Sequence, residues 1–285
     1  MQTLSKNFLY VHLVVLLVAF SSLFGKLITL PALTLILGRI FFSSMFLFVF
    51  FNYNKETTQL AKRIEHTYFA LMGIILVIHC YTFFQAVQLS TVAISLLTFS
   101  IFPLLVPYLE PYFFKEKLKL SDIIIANIMF CGILLIVPNL AIKTATIQGM
   151  LYGFIAGSTY ANLSLINRKC TKEYCSLVIS LYEQAVTTTF LLPFLFSEPP
   201  NFTINDILLL MILGTILTVI AHELFIHGLK NIRTKTSRLI AYFEPMYGII
   251  IATITIQAIP TVNEIFGAVI ILGTVLYHTS KQTAN

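Results

Sequence analysis

Four charged side chains stand inside long apolar runs: Arg39 in Leu-Gly-Arg, Glu183 in Tyr-Glu-Gln, Glu223 beside His222, and Glu244 directly before Pro245. A charge in hydrocarbon costs roughly 2.5–3.5 kcal/mol on insertion scales, so each is a candidate for ligand or ion chemistry. The planar fork of Arg39 suits a carboxylate bound through two parallel hydrogen bonds, or a structural ion pair with Glu183 or Glu244. Glu183 and Glu244, each near the middle of a run, suit a cationic group, a proton or an ion pair. His79 and His222 place imidazoles at matching depth in two different runs, and serve equally well as hydrogen-bonded histidines between helices. Tyr81, Tyr160 and Tyr242 would add aromatic walls and orienting hydroxyls. The candidate ligand contacts are therefore Arg39, His79, Tyr81, Tyr160, Glu183, His222, Tyr242 and Glu244, with Glu183, Glu223 and Glu244 the candidate proton-coupling carboxylates. Glu110, one turn from the end of its run, is expected to snorkel or to pair with Lys115 or Lys117.

Other chemistries find no support. His222-Glu223-Leu-Phe-Ile-His227 resembles a zinc-protease helix, but its histidines are five residues apart, about 500° of helical rotation, where that chemistry needs i and i+4 on one face. Gly157-Ser158 lacks the flanking pattern of an intramembrane serine protease, and no Gly-x-x-x-x-Gly-Lys-Ser/Thr loop cradles a nucleotide. The four Cys (80, 131, 170, 175) contain no Cys-x-x-Cys, so neither a disulfide framework nor a zinc site is expected. No cofactor and no resident metal are called for.

The elements that must position these groups follow from composition. Hydrophobic residues make up 58% of the 285-residue chain and charged residues 11%, which excludes an ordinary soluble domain. Apolar runs recur along the whole length, each long enough to cross a ~30 Å hydrocarbon core. They lack strict alternation, so helices are expected rather than a barrel. Ten spans are placed at about 7–27, 33–52, 68–86, 91–114, 122–140, 148–167, 175–196, 206–227, 236–257 and 263–279. The first run is taken as an uncleaved span rather than a signal peptide. With the N-terminus in the cytosol, all Lys and Arg except Lys26, Arg39 and Lys143 fall on the inner side, 15 of 18, and both termini are cytoplasmic. The net charge of +6 is thus assigned to membrane orientation and not to nucleic acid.

The chain also repeats itself. Ala86–Pro103 and Gly228–Pro245 share a small first residue, a polar link, a Ser entering an apolar helix and a final Pro, at an offset of 245 − 103 = 142. Their links differ: the first carries no base, the second carries Lys230, Arg233, Lys235 and Arg238. Other matched links differ in the same way, each charged according to its side of the membrane. A five-span unit is odd, so two copies must cross in opposite senses, and the expected fold is an all-α polytopic membrane protein of ten transmembrane helices in two inverted five-helix repeats, 1–142 and 143–285. Gly149, Gly153, Gly157 and Ala161 form a small-residue stripe for close helix approach, and Pro103, Pro107 and Pro111 are expected to bend the fourth span.

In Leu37-Gly-Arg39, Phe84-Gln-Ala86 leading to Pro103, Phe114-Lys-Glu116-Lys-Leu118 followed by Gly132, Ala241-Tyr-Phe-Glu-Pro245, Ile259-Pro-Thr261 and Gly267 to Gly273, the chain resembles the drug/metabolite transporter superfamily of the ten-span, EamA-repeat type. The resemblance covers nearly the whole length. It implies two five-helix bundles around a central cavity lined by spans 1–4 and 6–9, and alternating access without ATP. The expected function is secondary transport of a small metabolite, an amino acid or related amine, in the export direction and with possible proton coupling, across a bacterial inner membrane. The alternatives are efflux of lipophilic cations or drugs, carriage of a nucleoside-like metabolite, and a non-transporting membrane scaffold. The expected partners are a small-molecule substrate and the lipid bilayer, without nucleic acid, the chain acting as a monomer or homodimer.

Overall fold

A computed structural model describes residues 2–54, 63–114, 120–136, 144–171, 173–197, 201–221, 224 and 243–283. The described chain runs α1 (Gln2–Leu27), α2 (Ala32–Asn54), α3 (Arg63–Leu89), α4 (Val92–Phe99), α5 (Phe102–Phe114), α6 (Leu120–Ile136), α7 (Thr144–Cys170), α8 (Ser176–Ser197), α9 (Ile204–Gly214, continued by a π-helical turn Thr215–Ile220), α10 (Glu244–Ile256) and α11 (Val262–Thr283). No strand occurs among the described residues. Ala32–Tyr53, His66–Leu89 and Ser176–Phe194 are each long and apolar enough to cross a membrane alone, and shorter apolar stretches lie in α1, α9, α10 and α11. Large apolar side chains such as Phe48, Val49, Ile254 and Val269 point outward, the pattern of helices whose outer surface meets lipid tails.

Short polar caps fix where several helices begin. Thr91 accepts from the Ile94 amide at 3.0 Å to start α4. Thr203 and Asp206 form a reciprocal capping box at the start of α9. At α11 the Thr261 amide donates to Glu264 at 2.6 Å, and the other carboxylate oxygen of Glu264 accepts from Thr91 at 2.8 Å. One carboxylate thus caps its own helix and ties it to α4.

The fourth expected span is not one bent helix but two. α4 stops at Phe99 and α5 starts at Phe102. Pro103 has no N–H, so the Phe99 carbonyl, four residues earlier, loses its helical donor. That carbonyl faces Gly157 of α7, where an added Cβ would sit 2.7 Å from it and 2.6 Å from Ile101 Cγ2. The glycine stripe on α7 therefore accommodates the break. A Cβ at Gly153 would overlap the Thr98 hydroxyl, and one at Gly149 would come within 2.6 Å of Ser90 Cβ.

Contacts fix how helices run relative to each other. α7 is antiparallel to α3: Cys170 meets Met72, His79 meets Ala156, Tyr81 meets Tyr152, and Gly149 meets Ser90. Along α4 and α5, α7 is parallel, from Gly153 at Thr98 to Arg168 at Glu110. α8 runs parallel to α3, with Tyr182 on Phe69 and Val186 on Gly73. α9 runs parallel to α2, with Leu210 on Gly38 and Gly214 on Phe42. α10 packs on α1 and α4, and α11 on α6.

Candidate functional site

The candidate site is built around a buried tyrosine. Tyr160, on α7, lies in the electrostatic fields of Glu244, Glu183 and Arg39. The site therefore draws on α2, α7, α8 and α10, helices from both ends of the chain. His79 of α3 stacks beside Tyr160 at 4.9 Å between ring centroids. His79 Nδ1 lies 3.0 Å from the Ala156 carbonyl. A carbonyl can only accept, so Nδ1 carries the proton and a neutral His79 keeps Nε2 as an acceptor. Phe102 and Phe99 close on Tyr160 at 4.9 and 5.5 Å, and Phe83 meets Phe99 at 5.4 Å. The two rings flanking the α4–α5 break thus lean on Tyr160.

Each charge is held differently. Glu183 is buried with Asn167 beside its carboxylate, and its Oε1 has no hydrogen-bond partner among the described residues. The α8 helix is anchored beside it, where Thr187 donates to the Gly73 carbonyl at 3.0 Å. Glu244 opens α10, is 7% exposed, and stands at a helix N-terminus where the backbone N–H groups favour negative charge. Arg39 donates from Nε to Thr218 Oγ1 at 2.9 Å, and its guanidinium carbon lies 5.6 Å from the centroid of the Phe84 ring. No ion pair joins Arg39 to Glu183 or Glu244 among the described residues.

Of the residues singled out in the sequence, His79 and Tyr160 are brought into contact, Arg39 meets Thr218 and Phe84, and Glu183 and Glu244 are buried on α8 and α10. Tyr81 turns instead to Tyr152, ring centroids 6.1 Å apart. His222, Glu223 and Tyr242 lie outside the described residues. Arg168 donates to Glu110 at 2.9 Å and stacks on Phe114 at 4.3 Å. Lys115 and Lys117 lie outside the described residues. Asn167 and Thr218 escape a sequence reading, because each is recognisable only through the charged side chain it touches from another helix.

The EamA-like transporter family matches residues 6–137 and again 147–279. The chain belongs to that family. It is thereby a membrane transporter of the drug/metabolite transporter superfamily, and the apolar helices are those of a multi-pass membrane protein. The transporter is 23% identical over 274 residues to the uncharacterized transporter YxxF of Bacillus subtilis, covering 93% of this chain and 88% of that one. An uncharacterized transporter of Archaeoglobus fulgidus is 24% identical over 160 residues, covering 54% of this chain and 55% of its own. The transporter shares its fold with a protein of known crystal structure at a TM-score of 0.69 and 13% identity, over 99% of this chain and 98% of the other.

Proposed function

We propose that this transporter is a secondary carrier of a small metabolite, an amino acid or related amine, working by alternating access in a bacterial inner membrane. The observation that carries this is the buried carboxylate of Glu183, whose Oε1 has no partner among the described residues, in a bundle that also buries Glu244 and holds Arg39 through Nε. An unpartnered buried carboxylate oxygen is costly, and an ammonium or a proton relieves that cost. Arg39 offers the opposite charge, so a molecule bearing both an amine and a carboxylate finds complementary ends.

Ten spans in two inverted repeats, 1–142 and 143–285, with cytoplasmic termini, are the architecture that suits this mechanism. Three features support it. α3 runs parallel to α8 while α2 runs parallel to α9, the relation expected when spans 2 and 7, and 3 and 8, are exchanged by an in-plane two-fold axis. α5 (Phe102–Phe114) and α10 (Glu244–Ile256) both have 13 residues with Pro second, and their ends differ by 244 − 102 = 256 − 114 = 142. The distribution of Lys and Arg favours one aqueous side.

Reconstituted vesicles test the function. Counterflow of a labelled amino acid or amine, lost in Glu183→Gln, is the expected result; folded protein that moves no small solute in either direction would reject it. The aromatic cluster of Phe83, Phe99 and Phe102 around Tyr160 favours a second reading, efflux of lipophilic cations. A cation carrier would depend on Glu183 and Glu244 and tolerate Arg39→Ala, whereas a carrier of amino acids would not.

A further inference from the structure

The described part of α9 is α-helical to Gly214 and then opens into a π turn, Thr215–Ile220, opposite Arg39. The hydroxyls record the slip in register. Thr215 donates to the Met211 carbonyl four residues back at 2.6 Å, while Thr218 donates to Leu213, five residues back, at 2.7 Å. Having spent its proton on Leu213, Thr218 Oγ1 can only accept at its second face, and there it receives Arg39 Nε at 2.9 Å. The helix bearing Thr218 is pinned at close range. A Cβ at Gly214 would overlap the Arg39 carbonyl oxygen and would come within 3.1 Å of the Ser43 amide nitrogen. The Phe84 ring, fully buried, backs the guanidinium. Nε is therefore occupied and the ring flanks the guanidinium, while the two terminal nitrogens have no partner among the described residues.

We infer that the π turn makes Thr218 a positioning residue for Arg39, presenting the two terminal guanidinium nitrogens end-on to a carboxylate of the transported molecule. π turns that interrupt α-helices recur at functional sites, and an Arg fork held at Nε loses less freedom when it binds a planar anion. The inference rests on the proposed reading of a small-metabolite carrier and adds to it the chemistry of one end of the substrate. Thr218 touches Arg39 and not the substrate, so its loss changes discrimination between acids and their neutral counterparts.

The experiment uses the full chain in proteoliposomes, with the proteinogenic L-amino acids and their α-amides as paired probes in counterflow. The wild type is expected to prefer the acid over its amide. Thr218→Val, equal in shape but unable to accept from Nε, is expected to cut that preference roughly tenfold through the half-saturation concentration of the acid. Thr218→Ser restores it. Arg39→Lys, which keeps the charge and loses the fork, removes the preference, and adding Thr218→Val to it changes nothing further. Melting of each purified variant separates misfolding from lost discrimination. Equal loss for acid and amide in Thr218→Val, or a double variant worse than Arg39→Lys, would assign Thr218 a packing role and overturn the inference. Transport with no acid preference in the wild type would overturn the carboxylate site and leave the carrier standing. No transport of either probe set in any protein would remove both.

Discussion

Buried carboxylates are held in two different ways in this molecule. Glu110 and Arg168 are a direct pair at 2.9 Å near the end of α7, with the guanidinium stacked on Phe114. Glu183 and Arg39 form no such pair among the described residues: Asn167 lies beside Glu183, and Thr218 accepts from Arg39 Nε. The first arrangement is complete without a ligand, and the second leaves Glu183 Oε1 and the terminal nitrogens of Arg39 open among the described residues. Removing the guanidinium in Arg168→Ala leaves a mostly buried carboxylate without that donor, and is expected to lower stability by about 1–2 kcal/mol, since the arginine is itself partly exposed. A thermal melt in detergent measures this, and transport per folded molecule should persist. Glu183→Gln is expected to do the reverse: it keeps the shape and the contact with Asn167, holds the melting temperature, and weakens handling of an amine by roughly 10–100-fold. The charged residues were legible in the sequence because charge inside an apolar run is conspicuous. Their partners were not. Arg168, 58 residues away on another helix, supplies a cation to Glu110 that no local sequence pattern announces, while the expected Lys115 and Lys117 lie outside the described residues.

At the level of the helix, the same proline that announced a bend in the sequence produced a break, and the difference lies in what stands opposite. Pro103 strands the Phe99 carbonyl, and α7 presents a glycine to it. Periodicity showed the stripe Gly149, Gly153, Gly157 as a place of close approach; only packing revealed that it receives a broken span rather than a continuous one. Gly157→Ala places a methyl group 2.6 Å from Ile101 Cγ2 and 2.7 Å from the Phe99 carbonyl, too close for either. It should cost about 1–3 kcal/mol, read as a lower melting temperature, because a backbone oxygen cannot rotate away as a side chain can. Gly273, with nothing within 4 Å of an added Cβ, is the control and should accept Ala at no such cost. The π turn in α9 lay beyond sequence reasoning altogether. Thr-Ile-Leu-Thr-Val-Ile carries no mark that distinguishes it from an α-helical run, and its register is defined by Gly214 lying against the backbone of α2.

Across the whole molecule, the link between α7 and α8 gives access to topology. Cys175 is exposed there, whereas Cys170 is half-buried with its sulfur 3.9 Å from that of Met72. An impermeant maleimide is expected to label Cys175 in inside-out vesicles and to spare it in intact cells; labelling in intact cells would reverse the proposed orientation. The packing of α3 carries a further implication for how the molecule is made. Its most extensive neighbour is α7, and α8 is another, both belonging to the later part of the chain. When α3 enters the bilayer during synthesis, the helices that will cover it have not yet been translated. Met72, Gly73 and His79 then lack the partners that residues 156–187 supply, and the imidazole has no Ala156 carbonyl to meet. The early helices are thus expected to wait for the later ones, and a chain halted near residue 142 should be prey for membrane quality control rather than a stable bundle.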